Sequence, residues 1–180
     1  MKILGISGSL RATSANNQII KVIAKILPAN IDFRVYDGLR HIPPFDDSEE
    51  PSREVIDFRR LITEANGVIF CTPEYAFGVP GILKNALDWT VTSGDFVNKP
   101  VALITAASKG DSAHASLLLT LTAISADIST DTNLLISFVR AKLDEKGDIK
   151  DAPTLGALTA VVNRFVERIA ATNTVNIEQS

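Results

Sequence analysis

Short apolar runs recur along the chain, separated by longer segments in which apolar residues return every three or four positions. The runs 2–7, 31–36, 67–71, 101–105 and 134–139 have the length and apolar content of strands. Four of them are almost continuously apolar, the pattern of parallel strands covered on both faces. Run 31–36 alternates instead, which assigns it to a more exposed edge. Segments 14–27, 52–65, 81–90, 112–125 and 153–171 carry the helical period. Five βα units in alternation predict an α/β fold: a doubly wound, five-stranded parallel sheet with helices on both faces and right-handed crossovers.

No repeat or linker divides the chain, so residues 1–171 read as one domain and the polar stretch 172–180 as a disordered tail. Segment 37–51 holds three prolines and no period, the mark of a long surface loop, and 144–147 reads as a turn. With 180 residues, 46% of them hydrophobic, the chain can bury a core without disulfides or a structural metal. Cys71 is the only cysteine, which suits a reducing cytoplasm, and inside an apolar run it reads as an inert core thiol. The net charge of −3 argues against a nucleic-acid or anionic-membrane partner. The longest relevant uncharged stretch, 112–126, has 15 residues, short of the roughly 20 that a spanning helix needs. Gly5, Ser7, Gly8 and Ser9 interrupt any secretion-signal core.

Open α/β sheets bind ligands beyond the carboxyl ends of their strands, so the loops after the first, third and fourth strands are where function is expected. The first leads from Ser7 into a helix with Gly8 for a tight turn at positive φ, free N–H groups at the helix N-terminus, the side chains of Ser9, Thr13, Ser14 and Asn16, and the guanidinium of Arg11. Residues 1–31 contain four basic residues and no carboxylate. That is a plausible phosphate cradle; the plainer alternative is that Ser14 caps the helix and Arg11 is simply solvated. No nucleoside-triphosphate loop, dinucleotide fingerprint or serine-hydrolase elbow is present. The loop after the third strand, 72–81, packs two prolines, two glycines, Tyr75 and Phe77 into ten residues. It is stiff and rich in exposed amides, suited to a flat heteroaromatic ligand, or else a rigid turn whose aromatics pack on the core.

Together the two loops resemble one family. Gly8-Ser-Leu-Arg-Ala-Thr-Ser-Ala-Asn16, with Pro73-Glu-Tyr75 and Gly78-Val-Pro-Gly-Ile-Leu-Lys-Asn-Ala-Leu-Asp-Trp89, is similar to the motifs of the NADPH-dependent FMN reductases, which include bacterial quinone, chromate and azo-dye reductases. The resemblance implies a flavodoxin-like fold holding FMN without a covalent bond. It assigns the FMN phosphate to Ser9, Arg11, Ser14 and Asn16. Pro73, Glu74, Tyr75, Ala76 and Gly78 would lie along the isoalloxazine ring, and Ser108 would close the far side. Two departures stand out: Ala76 replaces the family's usual Asn, and Ser112-Ala-His-Ala-Ser116 replaces its Gly-Gly-x-x-Arg.

Since the flavin carries the hydride chemistry, no side-chain nucleophile or metal is expected, and His41 and His114 read as exposed or capping residues. One cysteine and two separated histidines make no metal-ligand set, and the acidic run 46–50 reads as a solvated loop. The uncharged helix 112–126, with the apolar residues Leu83, Ala86, Leu87, Trp89 and Val91, implies a face covered by a second copy, in agreement with the family's dimers and tetramers. The reading is therefore a cytoplasmic FMN-dependent reductase, using NADPH or NADH, of quinones, azo compounds, flavins or metal oxyanions. Alternatives are an FMN-binding electron carrier or sensor, or an interaction protein that has lost the cofactor.

Overall fold

Strands β1 (Lys2–Ser7), β2 (Asp32–Tyr36), β3 (Gly67–Thr72), β4 (Val101–Ala106) and β5 (Asn133–Ile136) form one parallel sheet in the order β2-β1-β3-β4-β5. The computed structural model of the chain describes residues 1–178, with side chains through Thr172. Helices α1 (Ala15–Ile26), α2 (Arg53–Glu64), α3 (Gly81–Asp88), α4 (Asp111–Ala123), α5 (Val139–Lys142) and α6 (Ala152–Glu178) connect and cover the strands. The strand order reverses between β1 and β3, whose carboxyl ends Ser7 and Cys71 lie side by side. That reversal is the crevice at which ligands bind in such sheets.

Burial follows the apolar pattern. Every residue of β3 and β4 is buried, whereas β2 at the edge is largely exposed, as its alternation predicts. Two cores lie on opposite faces of the sheet. Phe58, Phe70, Leu83, Phe96 and Leu117 fill one beneath α2, α3 and α4. Ile19, Ile23, Ile69, Ile104 and Phe165 fill the other beneath α1 and α6.

Four expectations need correction. The fifth strand ends at Ile136, not at 139, and the chain then turns through Phe138 at φ 54° into α5. The turn is fixed from outside: the N–H groups of Phe138 and Val139 donate to the carbonyls of Ser108 and Ala107, 3.1 Å each, pulling the chain off the sheet. Segment 37–51 contains a 3₁₀ turn, Gly38–His41, and is pinned to α3 where Asn85 Nδ2 and Trp89 Nε1 both donate to the Pro43 carbonyl, at 2.8 and 2.9 Å. For the same reason the apolar face of α3 is not a free surface. Leu83, Ala86, Leu87 and Trp89 are buried within the chain itself, and only Val91 remains exposed. Helix α6 runs past the expected end at 171. The expected tail, 172–180, ends in residues 179–180, which lie outside the described residues.

The expected turn at 144–147 is present. The Asp144 carboxylate accepts from the N–H groups of Lys146 and Asp148, 2.9 Å each, and Gly147 takes φ 84°. No helix among the described residues is long and apolar enough to cross a membrane.

Candidate functional site

The loops after β1, β3, β4 and β5 meet at one end of the sheet and enclose a cleft of about 310 Å³, at the lower end of the usual range for small-molecule sites. Ser9, Arg11, Ser14, Asn16, Pro73, Glu74, Tyr75 and Ser108 line it. Of the residues expected from the sequence, Ala76 and Gly78 are not in its wall.

Close approach governs the first loop. The Gly8 N–H donates to the Cys71 carbonyl at 2.9 Å, and a Cβ on Gly8 would stand 3.0 Å from Thr72 Cβ and closer still to its hydroxyl. Gly8 does not take a positive φ as expected; it is needed for space, because loop and strand touch there. Ser14 then starts α1, its Oγ accepting from the Asn17 N–H at 3.2 Å. Beyond this cap, the N–H groups of Ala15 and Asn16 have no acceptor among the described residues, so α1 presents free donors and the positive end of its dipole to the cleft. Arg11 is exposed and, among the described residues, unpaired with any carboxylate. The cap and the anion-facing donors therefore coexist, and the two readings of this loop do not exclude one another.

Asn16 does more than the sequence indicated. Its Nδ2 donates to the Ala106 carbonyl at 3.1 Å and its Oδ1 accepts from Cys71 Sγ at 3.3 Å, so this buried side chain ties the first loop to β3 and β4. Cys71 is fully buried, and burial pushes its thiol well above the ordinary range, which keeps it protonated and unreactive.

After β3 the chain makes a two-residue turn. Tyr75 and Gly78 exchange N–H···O bonds of 3.0 and 2.9 Å, with Ala76 at φ 49° and Phe77 at φ 60° between them. The turn holds Tyr75 and Phe77 out to solvent, 57% and 76% exposed, so the alternative in which the aromatics pack on the core is wrong. Glu74 points the other way. Its carboxylate accepts from the N–H groups of Gly110 at 3.3 Å and Ala113 at 3.0 Å, capping α4, whose own N-cap Gly110 has no side chain to do so.

His114 is neither exposed nor a cap. It is half-buried, with Nδ1 2.8 Å from Thr105 Oγ1 and Nε2 3.3 Å from Asn133 Oδ1. Burial lowers its pKa, against the weaker opposing effects of Asn133 and Asp111. His41 is exposed at the end of its 3₁₀ turn, and residues 46–50 are exposed throughout.

Sequence reasoning missed Phe138, Val139, Arg140 and Ala141, which close the cleft opposite the first loop. Phe138 and Val139 lay hidden in a strand drawn three residues too long, and Arg140 and Ala141 followed its expected end. The signal available was an arginine directly after an apolar strand, at the end of the sheet where ligands bind.

This donor set fits FMN. Guanidinium, hydroxyl and free helix N-terminal amides suit a phosphate monoester. The one carboxylate in the wall among the described residues, Glu74, is committed to the amides of α4. Pro73, Ala106, Ala107 and Val139 supply apolar wall for a flat ring.

Residues 1–138 match the family model of the NADPH-dependent FMN reductases. The chain belongs to this family. Among relatives, the NADH-dependent flavin reductase subunit 2 of Lactobacillus johnsonii is 31% identical over 93% of this chain and 96% of its own length. The quinone reductase of Escherichia coli K12 is 29% identical, covering 94% and 95%. The solved structure of FerB, a flavoenzyme NAD(P)H:acceptor oxidoreductase from Paracoccus denitrificans, shares the fold with a TM-score of 0.76, covering 94% of this chain and 97% of FerB at 24% identity. As a member of the family the chain is an FMN-dependent NAD(P)H oxidoreductase with a flavodoxin-like fold.

Proposed function

We propose that the chain takes reducing equivalents from NADPH or NADH and delivers them to small oxidised acceptors of the quinone, azo, flavin or metal-oxyanion classes. The observation that carries this reading is the joining, in one cleft, of an anion-suited helix N-terminus and a stiff turn with exposed aromatics. Relatives named as quinone and flavin reductases support the acceptor classes. FMN, when bound, supplies the redox chemistry. The chain's part is to bind and orient. Ser9, Arg11, the first turn of α1 from Ser14 and the N–H groups of Ala15 and Asn16 hold the phosphate. The backbone of Pro73, Glu74 and Tyr75 lies along the ring, with Ala76 and Gly78 shaping the turn that carries it. Ser108 bounds the far side.

The enzyme works as a homodimer or homotetramer in the cytoplasm. Ala115, Ser116, Leu119, Thr122 and Ala123 form an uncharged exposed stripe on α4, with Leu119 73% exposed. A second copy covers this stripe in our reading. Sedimentation at micromolar concentration is expected to give a multiple of 19.4 kDa; a single species at 19.4 kDa rejects the assembly.

The catalytic reading is tested by loading the protein with FMN and adding NADPH or NADH anaerobically. Prompt loss of the oxidised flavin absorbance, restored by a quinone, supports the reductase. Bound flavin that stays oxidised leaves an electron carrier, and failure to bind FMN in excess overturns the reading.

A further inference from the structure

Most guanidinium groups of this acidic chain are neutralised within it. Arg53, Arg59, Arg60, Arg164 and Arg168 all form ion pairs with carboxylates. Arg11, in the loop before α1, and Arg140, 129 positions on in α5, form none among the described residues, and they face the same space. Both line the main cleft, and both line the two hollows that adjoin it, one toward Tyr75 and Gly81, the other toward Thr13 and Gln18. Among the described residues they are the only ones common to all three. The main cleft and the hollow toward Thr13 also share Ala15, whose free N–H belongs to the first turn of α1.

Two like charges held on one opening without a counter-charge repel each other, at a cost that a dianion between them removes. Asp144 borders one of the hollows, but its carboxylate accepts from the N–H groups of Lys146 and Asp148 in the turn that follows. The position of Arg140 is built into the fold. Phe138 is held at φ 54° and bonded to the Ser108 carbonyl, and Val139 behind it is buried, so α5 starts at a fixed place on the rim.

We propose that Arg140 is the second cation of a phosphate-monoester site, acting with Arg11 and the N-terminus of α1 on one dianionic group. The inference rests on the FMN reading above. The group held is the 5′-phosphate of FMN, which that reading already gives to Arg11 and the α1 N-terminus. A fork of donors on each side of the group makes recognition depend on charge and on geometry together.

The test is a fluorescence titration of the apoprotein with FMN and with riboflavin, which differ only by the phosphate, in the wild type, Arg140→Ala and Arg140→Lys. Arg140 is exposed and its side chain has no hydrogen-bond or ion-pair partner among the described residues, so the variants keep the fold, and circular dichroism checks this. Arg140→Ala is expected to weaken FMN roughly ten- to a hundredfold while riboflavin affinity changes little. Arg140→Lys should recover part of the loss, and the salt dependence of FMN binding should become shallower in Arg140→Ala. If FMN affinity is unchanged but the KM for NADPH rises relative to that for NADH, Arg140 serves the nicotinamide cofactor apart from Arg11 and the α1 N-terminus, and the shared site is overturned. If Arg140→Ala leaves both the FMN-to-riboflavin ratio and the NADPH-to-NADH ratio unchanged, the inference is overturned. A wild-type protein that binds neither flavin defeats the FMN reading itself, a result distinct from either.

Discussion

Ala76 and Phe77 both occupy the left-handed region in the turn that would carry the flavin ring, at φ 49° and 60°. Two-residue hairpin loops of this kind favour Asn-Gly, because a side chain with a full Cβ resists positive φ. The Asn usual in the family at position 76 thus has a backbone explanation, independent of anything its amide does beside a ring. Replacing Ala76 with Asn should stabilise the protein by about 0.5–1 kcal/mol, read as a higher denaturant midpoint at unchanged slope. Ala76 is exposed and packs nothing, so a lower midpoint would mean that the turn does not hold this geometry. From the sequence, the prolines and glycines of 72–81 gave away a stiff exposed loop, but not which residues adopt positive φ. That assignment depends on the Tyr75–Gly78 exchange of hydrogen bonds, which no residue type announces.

Helix α4 is held at its first turn by two side chains from elsewhere or within. Glu74 caps its N-terminus, and His114 bridges it to β4 through Thr105 and to β5 through Asn133. Since Asn133 Nδ2 donates to the Ser129 carbonyl at 3.0 Å, its Oδ1 faces the ring and accepts from Nε2–H, leaving Nδ1 to accept from the Thr105 hydroxyl. That is the neutral imidazole, in keeping with its lowered pKa. Above the ordinary histidine value of about 6.5 both folded and unfolded states are neutral here, and His114 adds no pH dependence. Below it the unfolded chain binds the proton first, so stability falls with pH until the folded value is passed. Denaturant unfolding at pH 7.5 and pH 5 should show a loss of stability on acidification that is smaller in His114→Gln. An equal loss in the variant would assign the acid sensitivity to other groups. None of this was legible from the helical period, which places His114 on α4 but not against Asn133, 19 positions away.

At the scale of the whole molecule, the order of elements and the edge position of β2 follow from where the apolar runs are continuous and where they alternate. The crevice at the strand reversal follows from that order. What the pattern could not separate was one cover for an apolar face from another: Leu83 and Trp89 face this chain's own core and the 42–45 segment, not a second copy. It likewise could not see that β5 stops at Ile136, because Phe138 and Val139 remain apolar while their N–H groups leave the sheet for Ala107 and Ser108. The rim residue Arg140 was lost with that boundary. The central claim is that FMN lies across this reversal, its phosphate at the N-terminus of α1 and its ring against Pro73-Glu74-Tyr75. Crystals grown or soaked with FMN test it most directly. Phosphate density is expected within hydrogen-bond reach of Arg11 and the Ala15 and Asn16 amides, with the ring over the turn after β3. Flavin bound elsewhere on the protein, or that crevice filled by the chain's own side chains, would contradict it.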